Sequence, residues 1–215
     1  MNKSLAFAGR EKEIERFRAL YADRKPVVIV GPAGMGKTAL LRQIRQWCPM
    51  LLCEEAASLR QICDGLEREL GWSHHRLTLI ERKNRLLRYT HRCGELITLD
   101  HIAQTTPRVS RFIRNVSERV PVWIVCRSTM PNDIGHLWQY IFRFERFELQ
   151  RLTLIEARTL IEAAVDLGNI QPESREFVWQ IYHLSKGVPR ILEELCSQRM
   201  APGSRLALFS LLVSR

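Results

Sequence analysis

The segment VVIVGPAGMGKTALL, residues 27–41, joins a short apolar run to a helix-patterned segment through a glycine-rich loop. The loop from Gly31 to Thr38 matches G-x-x-x-x-G-K-[ST] at every fixed position. Glycines let such a loop curl so that its backbone N–H groups and the next helix N-terminus converge on phosphate oxygens. Lys37 adds a positive charge, and the Thr38 hydroxyl can ligate Mg²⁺. The stretch therefore predicts a strand, a phosphate-binding loop and a helix.

The predicted nucleotide contacts are the loop residues and the residue after them, namely Gly31, Pro32, Ala33, Gly34, Met35, Gly36, Lys37, Thr38 and Ala39. The acidic group that holds the magnesium is predicted at Asp100, which ends the apolar run LITLD at 96–100. A carboxylate at the end of a buried parallel strand opens onto the same sheet edge as the phosphate loop. The predicted cofactors are therefore ATP and Mg²⁺, with Thr38 and Asp100 on the metal.

The residue after this aspartate is His101. Many P-loop ATPases have Glu or Asp at that position, as a base that orients the attacking water. Histidine can accept a proton near neutral pH, but it is shorter and can be positively charged. Three interpretations stay open: a slow or defective ATPase, an ATPase whose base comes from elsewhere, and a His101 that faces a partner.

Apolar runs alternate with helical patterns along the first 150 residues. The runs are VVIV at 27–30, MLLC at 50–53, LITLD at 96–100, VWIVC at 122–126 and FRFERFEL at 142–149. This alternation predicts an α/β fold in which helices cover a mainly parallel sheet. In the last run Phe142, Phe144 and Phe147 alternate imperfectly with charged residues, which predicts an edge strand.

After residue 150 the strand patterns stop, and a small all-helical lobe is predicted. Its helical patterns are Leu154 to Leu167, Glu173 to Leu184 and Pro189 to Arg199, with a terminal core-docking helix at Leu206 to Val213. Gly168 indicates a helix end and Pro172 a helix start. We therefore predict a P-loop core at 1–150 and a helical lid with a C-terminal tail at 151–215.

Several motifs occur in a familiar order, namely Phe7-Ala8-Gly9-Arg10-Glu11, GPAGMGKT, LITLDH, VWIVCRS and Lys186-Gly187-Val188-Pro189-Arg190. In these residues the chain resembles the AAA+-related ATPases of the origin-recognition and STAND type. It also resembles the bacterial ATPases that serve transposition and secretion systems. Residues beyond the lid are too few for the winged-helix domain that origin-recognition proteins often carry. The resemblance thus implies a stand-alone minimal ATPase or a piece of a larger protein.

The resemblance implies roles for matching positions. Phe7 and Arg10 would lie near the adenine, although the same residues also fit the start of a helix from Arg10 to Leu20. Arg127 would be the sensor-1 residue, and Arg190 the sensor-2 residue of the lid, each reporting the γ-phosphate. Closure of the lid would then depend on that phosphate. Ordinary surface arginines remain the alternative for both.

The chain carries a net charge of +10, from 33 basic and 23 acidic residues, which favours a polyanionic partner. One predicted basic helix face could bind DNA or RNA phosphates, meet an acidic protein or simply be solvated; it contains Arg76, Arg82, Lys83, Arg85, Arg88 and Arg92. A second cluster follows the LITLD strand at Arg108, Arg111, Arg114 and Arg119. AAA+ proteins often present a trans-acting arginine there, so Arg111, Arg114 or Arg119 would act only in a homo-oligomer.

Six cysteines lack metal-site spacing, and we expect reduced, buried thiols. A signal peptide and a membrane span are not apparent, so we expect a cytoplasmic protein without a membrane partner.

The function predicted from the sequence is a Mg²⁺-dependent ATPase, ATP and water giving ADP and phosphate, coupled to lid closure and to partner or DNA engagement. The alternatives are a nucleotide-dependent switch with negligible hydrolysis and a small-molecule kinase on a P-loop core.

Overall fold

The computed structural model describes residues 8–73 and 75–197. These residues form two compact units. The first unit contains residues 8–13, 34–36 and 150–197, and the second contains residues 14–33 and 37–149 of the described chain. Phe7 and the run from Leu206 to Val213 lie outside the described residues.

The strands in the described chain are β1 Val27–Val30, β2 Met50–Cys53, β3 Leu96–Ile102, β4 Val122–Cys126 and β5 Glu145–Glu148. The α-helices in the same residues are α1 Glu11–Ala22, α2 Lys37–Ile44, α3 Leu59–Glu69, α4 Leu79–Thr90, α5 Pro107–Ser117, α6 Pro131–Ile134, α7 Leu154–Asp166, α8 Val178–Ser185 and α9 Pro189–Ser197. Short 3-10 helices cover His136–Gln139, Ile141–Arg143 and Pro172–Arg175.

The strands form a parallel sheet in the second unit, in the order β2-β3-β4-β1-β5. Val28 of β1 aligns with Ile124 of β4 on one side and with Arg146 of β5 on the other. The strands β1, β2 and β4 are buried along their whole length, as expected for parallel strands covered on both faces. The predicted α/β fold with a mainly parallel sheet is therefore confirmed.

The fifth strand lies at the sheet edge, as predicted, but it is shorter than the alternating sequence suggested. Phe144 and Phe147 are buried, whereas Phe142 is 75% exposed and belongs to the 3-10 helix Ile141–Arg143. The strand prediction was therefore wrong for Phe142. Because the chain becomes extended only at Phe144, the phenylalanine two positions earlier has no place on the sheet face.

Aromatic and aliphatic side chains fill the core of the second unit. The ring of Phe17 in α1 lies 5.1 Å from that of Trp123 in β4 and 4.4 Å from that of Phe147 in β5. Each large apolar side chain buried in this way contributes roughly 1.5–3 kcal/mol. These contacts pack α1 against β4 and β5.

The helices α7, α8 and α9 share a separate core in the first unit, which includes Ile161, Ile181 and Leu192. The helix predicted from Glu173 to Leu184 is in fact two pieces, a 3-10 helix and then α8. Helix α8 ends where Lys186 adopts a left-handed conformation, with φ +51°. Helix α9 begins at Pro189 as predicted, and its described part reaches Ser197.

All six cysteines are free, as expected, and Cys93 is half-buried while the others are buried. Burial raises the pKa of Cys126, at the end of β4, to about 11. That thiol is therefore protonated at neutral pH. Among residues 8–73 and 75–197, no helix is both long enough and apolar enough to cross a membrane.

Candidate functional site

The phosphate loop lies between β1 and α2, as its sequence predicted. Strand β1 ends at Val30, and α2 begins at Lys37. Within the loop, Gly34 and Gly36 have φ angles of +82° and +83°. A side chain at either position would be strained in this left-handed conformation, so the two glycines let the loop curl.

The Lys37 side chain folds back over the loop. Its Nζ donates hydrogen bonds to the carbonyl oxygens of Gly31 at 2.6 Å and Pro32 at 2.8 Å. These are neutral acceptors. A phosphate oxygen would be a stronger partner for the ammonium group, because it adds the attraction between opposite charges.

Two other predicted site residues, Asp100 and Arg127, affect the charge of Lys37. Burial lowers the pKa of Lys37 from its ordinary value; Asp100 and Cys126 oppose this shift, and Arg127 adds to it. Arg127 follows directly after β4 and is exposed. The structure therefore brings Arg127 into electrostatic range of Lys37, where two cations would share an anionic ligand.

The two residues predicted to hold the metal are in direct contact. The Thr38 hydroxyl donates a hydrogen bond to Oδ2 of Asp100 at 2.6 Å. Asp100 is 1% exposed, and its other oxygen, Oδ1, accepts a hydrogen bond from the His101 N–H at 2.7 Å. A hydroxyl and a carboxylate are the hard oxygen ligands that Mg²⁺ prefers. These side chains therefore fit the ion that the sequence predicts.

His101 lies beside this pair, in a strained backbone conformation with φ +58°. Its side chain is 66% exposed, and its Nδ1 lies 2.8 Å from the carbonyl oxygen of Glu54. Because a carbonyl only accepts, this contact assigns the proton to Nδ1 and leaves Nε2 of the neutral ring as an acceptor. Sequence patterns could not reveal the role of Glu54, since it acts through its backbone and lies 47 positions away.

Arg190 is placed in the first unit at the start of α9. Its backbone N–H donates to the carbonyl of Gly34 at 3.1 Å, and both residues belong to that unit. Its guanidinium Nε donates to Glu194 at 3.0 Å, one helical turn along, and remains 71% exposed. The backbone contact joins the first turn of α9 to Gly34 of the phosphate loop.

Arg10, also in the first unit, is only 5% exposed. Its Nη1 pairs with Glu13 at 2.5 Å, while its Nη2 has no hydrogen-bond partner within the described part of the chain. A buried guanidinium with a free N–H suits an external acceptor, such as a nucleotide base or ribose. Its predicted neighbour Phe7 lies outside the described residues.

The first basic cluster differs from its prediction. Arg82 is buried in α4 and pairs with Glu67 at 2.6 Å and Asp64 at 2.5 Å, so its assignment to a basic face was wrong. It is buried because it lies on the side of α4 that packs on α3. Arg85 is half-buried, with its guanidinium 4.0 Å above the Trp72 ring. Lys83 is also half-buried, so the exposed basic residues of α4 and its C-terminal flank are Arg88 and Arg92.

The second basic cluster is more exposed. Arg111 and Arg119 are both exposed, and Arg119 donates to the Leu87 carbonyl at 3.4 Å. Arg114 donates to Glu118 at 3.0 Å and lies over the Tyr140 ring, 5.4 Å from its centroid. Each of the three guanidinium groups stays within reach of solvent, so each remains a candidate for the predicted trans-acting arginine.

No family model matches this chain, and no curated protein matches its sequence. Solved structures do match its fold. The Orc1 protein of Aeropyrum pernix, in complex with DNA, is 17% identical with a TM-score of 0.66, over 98% of this chain and 62% of that one. Cdc6p from Pyrobaculum aerophilum is 15% identical with a TM-score of 0.67, over 92% of this chain and 62% of that one. A Walker-type ATPase of Pyrococcus abyssi is 12% identical with a TM-score of 0.66, over 94% of this chain and 70% of that one.

At these identities the similarity concerns the fold alone. The chain spans 62% of the length of the Orc1 and Cdc6p chains that it matches. The resemblance predicted from the ordered motifs is confirmed at this level. The chain has the α/β fold that these three structures share, one of them a Walker-type ATPase.

Proposed function

We propose that this chain binds ATP with Mg²⁺ and hydrolyses it to ADP and phosphate. The observation that carries the proposal is the 2.6 Å hydrogen bond from Thr38 to Asp100, next to the curled loop and Lys37. These two residues are 62 positions apart in the chain, yet they meet at the carboxyl edge of the sheet. A hydroxyl, a buried carboxylate and a lysine gathered at one glycine-rich loop suit a metal-bound triphosphate.

Each side chain has a defined task in this proposal. Lys37 binds the β- and γ-phosphates, and Thr38 and Asp100 hold the magnesium. When bound, the ion would neutralise charge on the phosphate oxygens. Arg127 and Arg190 contact the γ-phosphate, and the free Nη2 of Arg10 binds the base or ribose.

His101 is proposed to orient the attacking water. The Glu54 carbonyl holds the Nδ1 side of the ring, so Nε2 is left to accept a hydrogen bond from water. The alternative is a nucleotide-dependent switch that binds ATP and scarcely hydrolyses it. The 66% exposure of His101 favours that alternative, because an exposed ring loses less free energy by turning away from the site.

Two measurements test the proposal. Lys37→Ala is expected to weaken Mg²⁺-dependent ATP binding at least tenfold, because the main phosphate cation is lost; Lys83→Ala is the control. Unchanged ATP affinity in Lys37→Ala would contradict the assignment of the loop. Single-turnover hydrolysis of native protein, His101→Ala and His101→Glu then separates enzyme from switch.

An ATPase that uses His101 would slow on change to Ala and recover with Glu. A switch would show negligible turnover in the native protein. Brisk native turnover that His101→Ala leaves unchanged would mean that the water is oriented by another residue.

We further propose that ATP drives lid closure through Arg190 and that the chain engages DNA through the exposed cations near α4, Arg88 and Arg92. The net charge of +10 and the DNA complex of the similar Orc1 structure support this partner class. Assembly into a homo-oligomer, with Arg111, Arg114 or Arg119 reaching a neighbouring nucleotide, is proposed on the exposure of these arginines. A protein partner would compete for the same faces.

A further inference from the structure

Two large aromatic side chains project from the segment between β4 and β5 in the second unit. Trp138 is 48% exposed and Phe142 is 75% exposed. They belong to the 3-10 helices His136–Gln139 and Ile141–Arg143. The proposed ATPase reaction uses neither ring. Exposed aromatic groups within one short segment are typical of a binding surface.

Arginines accompany the rings. Arg143 lies over the Phe142 ring at 5.6 Å, and Arg114 of α5 lies over the half-buried Tyr140 ring at 5.4 Å. Helix α5 packs against the 3-10 helix that carries Trp138. Residues 107–118 and 136–143 together contain four arginines, Arg108, Arg111, Arg114 and Arg143, and one acidic residue, Glu118, which pairs with Arg114. We call these two segments the aromatic–arginine surface.

The backbone just before Trp138 is held by contacts with Thr105. The Thr105 hydroxyl accepts a hydrogen bond from the Leu137 N–H at 2.9 Å, and the Thr105 carbonyl accepts one from the His136 N–H at 2.9 Å. Gly135 has φ +63°, and a Cβ there would lie 2.5 Å from the backbone N and O of Thr105. Only glycine allows this close approach. Trp138, which directly follows these residues, is therefore presented on an ordered backbone, and this lowers the entropy lost on binding.

We propose that the aromatic–arginine surface binds single-stranded nucleic acid. Its bases would stack on Trp138 and Phe142, and its phosphates would pair with Arg143 and with Arg108 and Arg111 of α5. Flat exposed rings suit unpaired bases, since the bases of a duplex already stack on one another. The surplus of arginine over acid selects a polyanion over an apolar partner. This surface is separate from the exposed cations near α4 and does not depend on the proposed ATPase activity.

The test is fluorescence anisotropy of the whole protein without nucleotide, using three labelled 20-mers of equal charge: oligo-dT, oligo-rU and an abasic DNA strand. Trp138→Ala/Phe142→Ala is expected to weaken binding of oligo-dT or oligo-rU about tenfold or more, because stacking is lost. Binding of the abasic strand should stay within twofold. The two base-bearing probes distinguish DNA from RNA.

Three further variants test whether the loss of binding comes from the two aromatic rings. Trp138→Phe/Phe142→Tyr keeps two stacking faces and should restore binding. Trp179→Ala removes a tryptophan that is 55% exposed in α8, outside this surface, and should leave binding unchanged. Arg143→Ala should flatten the plot of log affinity against log salt by about 0.7 for every probe, since one phosphate contact is lost.

Three results would overturn the proposal. The first is equal binding of oligo-dT and oligo-rU by the native and double-alanine proteins. The second is an equal loss of affinity for the abasic strand, which would mean that the surface binds through its charge and not by stacking. The third is self-association in sedimentation that only the double-alanine change abolishes, with oligonucleotide binding unaffected, since the rings would then face a second copy of the chain. ATP turnover of the double-alanine protein, read separately, should match the native value.

Discussion

Helices α4 and α5 both carry basic residues at close spacing, but they use them differently. Helix α4 turns Arg82 inward, where it meets Glu67 and Asp64 of α3. Helix α5 buries Val109, Phe112 and Ile113 instead, and its arginines stay outside. The same residue type thus serves as an internal clamp in one helix and as a surface charge in the other.

The difference follows from what each helix packs against. Helix α3 presents Asp64 and the buried Glu67 toward α4, so a cation is needed there. A buried carboxylate without a partner would cost several kcal/mol. The neighbours of α5 are apolar core residues, and a cation facing them would be left unpaired. A count of charges along the sequence therefore overstates the basic surface of α4 by at least one arginine.

The largest effect is expected at the buried ion pairs of Arg82 with Glu67 and Asp64, which we call the Arg82 clamp. Arg82→Ala should lower the free energy of unfolding by about 3–5 kcal/mol, because it removes the guanidinium that pairs with the buried Glu67 carboxylate. Chemical denaturation followed by circular dichroism measures this loss. Arg88→Ala, an exposed change on the same helix, is the matched control and should stay within about 0.5 kcal/mol. A cost below about 1 kcal/mol for Arg82→Ala would mean that the clamp is not needed for stability.

The second prediction concerns the outward charges of the same region. Arg88→Ala/Arg92→Ala should weaken duplex DNA binding and lower the slope of log affinity against log salt by about 2, since two proposed phosphate contacts are removed. Titration of labelled duplex over a salt series measures both. The control is Arg175→Ala, which removes an exposed arginine of the first unit. If the slope is unchanged, duplex DNA does not use this face.

The sequence predicted the fold well because its signals were local and redundant. The four apolar runs from VVIV to VWIVC are strands in the structure, and the glycine-rich loop lies between strand and helix. Parallel strands must be apolar on both faces, so even short runs were decisive. The extent of the strand in the run FRFERFEL was harder to predict. An edge strand is apolar on one face only, and the alternation of Phe142 with charged residues continues into the 3-10 helix Ile141–Arg143, where Phe142 is exposed.

The candidate site was predictable to the extent that its chemistry follows from motifs. The sequence predicted that Thr38 and Asp100 would lie close together, because a carboxylate at the end of a parallel strand lies at the same end of the sheet as the phosphate loop. The inward turn of Arg82 and the Glu54 carbonyl beside His101 depend on tertiary packing across 15 and 47 positions, which no local pattern encodes. The aromatic–arginine surface was missed for the same reason, since α5 and residues 136–143 come together only in the folded chain.

The smallest expected effect distinguishes how the two helices begin. Helix α4 has a full capping box: the Thr78 hydroxyl accepts from the Glu81 N–H at 3.3 Å, and the Glu81 carboxylate accepts from the Thr78 N–H at 2.7 Å. Helix α5 has only the Thr106 hydroxyl, at 3.4 Å from the Val109 N–H, and an apolar residue where the reciprocal acid would be.

Thr78→Ala should therefore lower the free energy of unfolding by about 1 kcal/mol, and Thr106→Ala by about half as much. Serine at either position keeps the hydroxyl and should restore most of the loss, which separates capping from packing of the methyl group. Thermal denaturation of the four variants measures the difference. Equal losses for the two alanine variants would mean that the Glu81 contact adds nothing, and that α4 is held in place by its buried arginine rather than by its first turn.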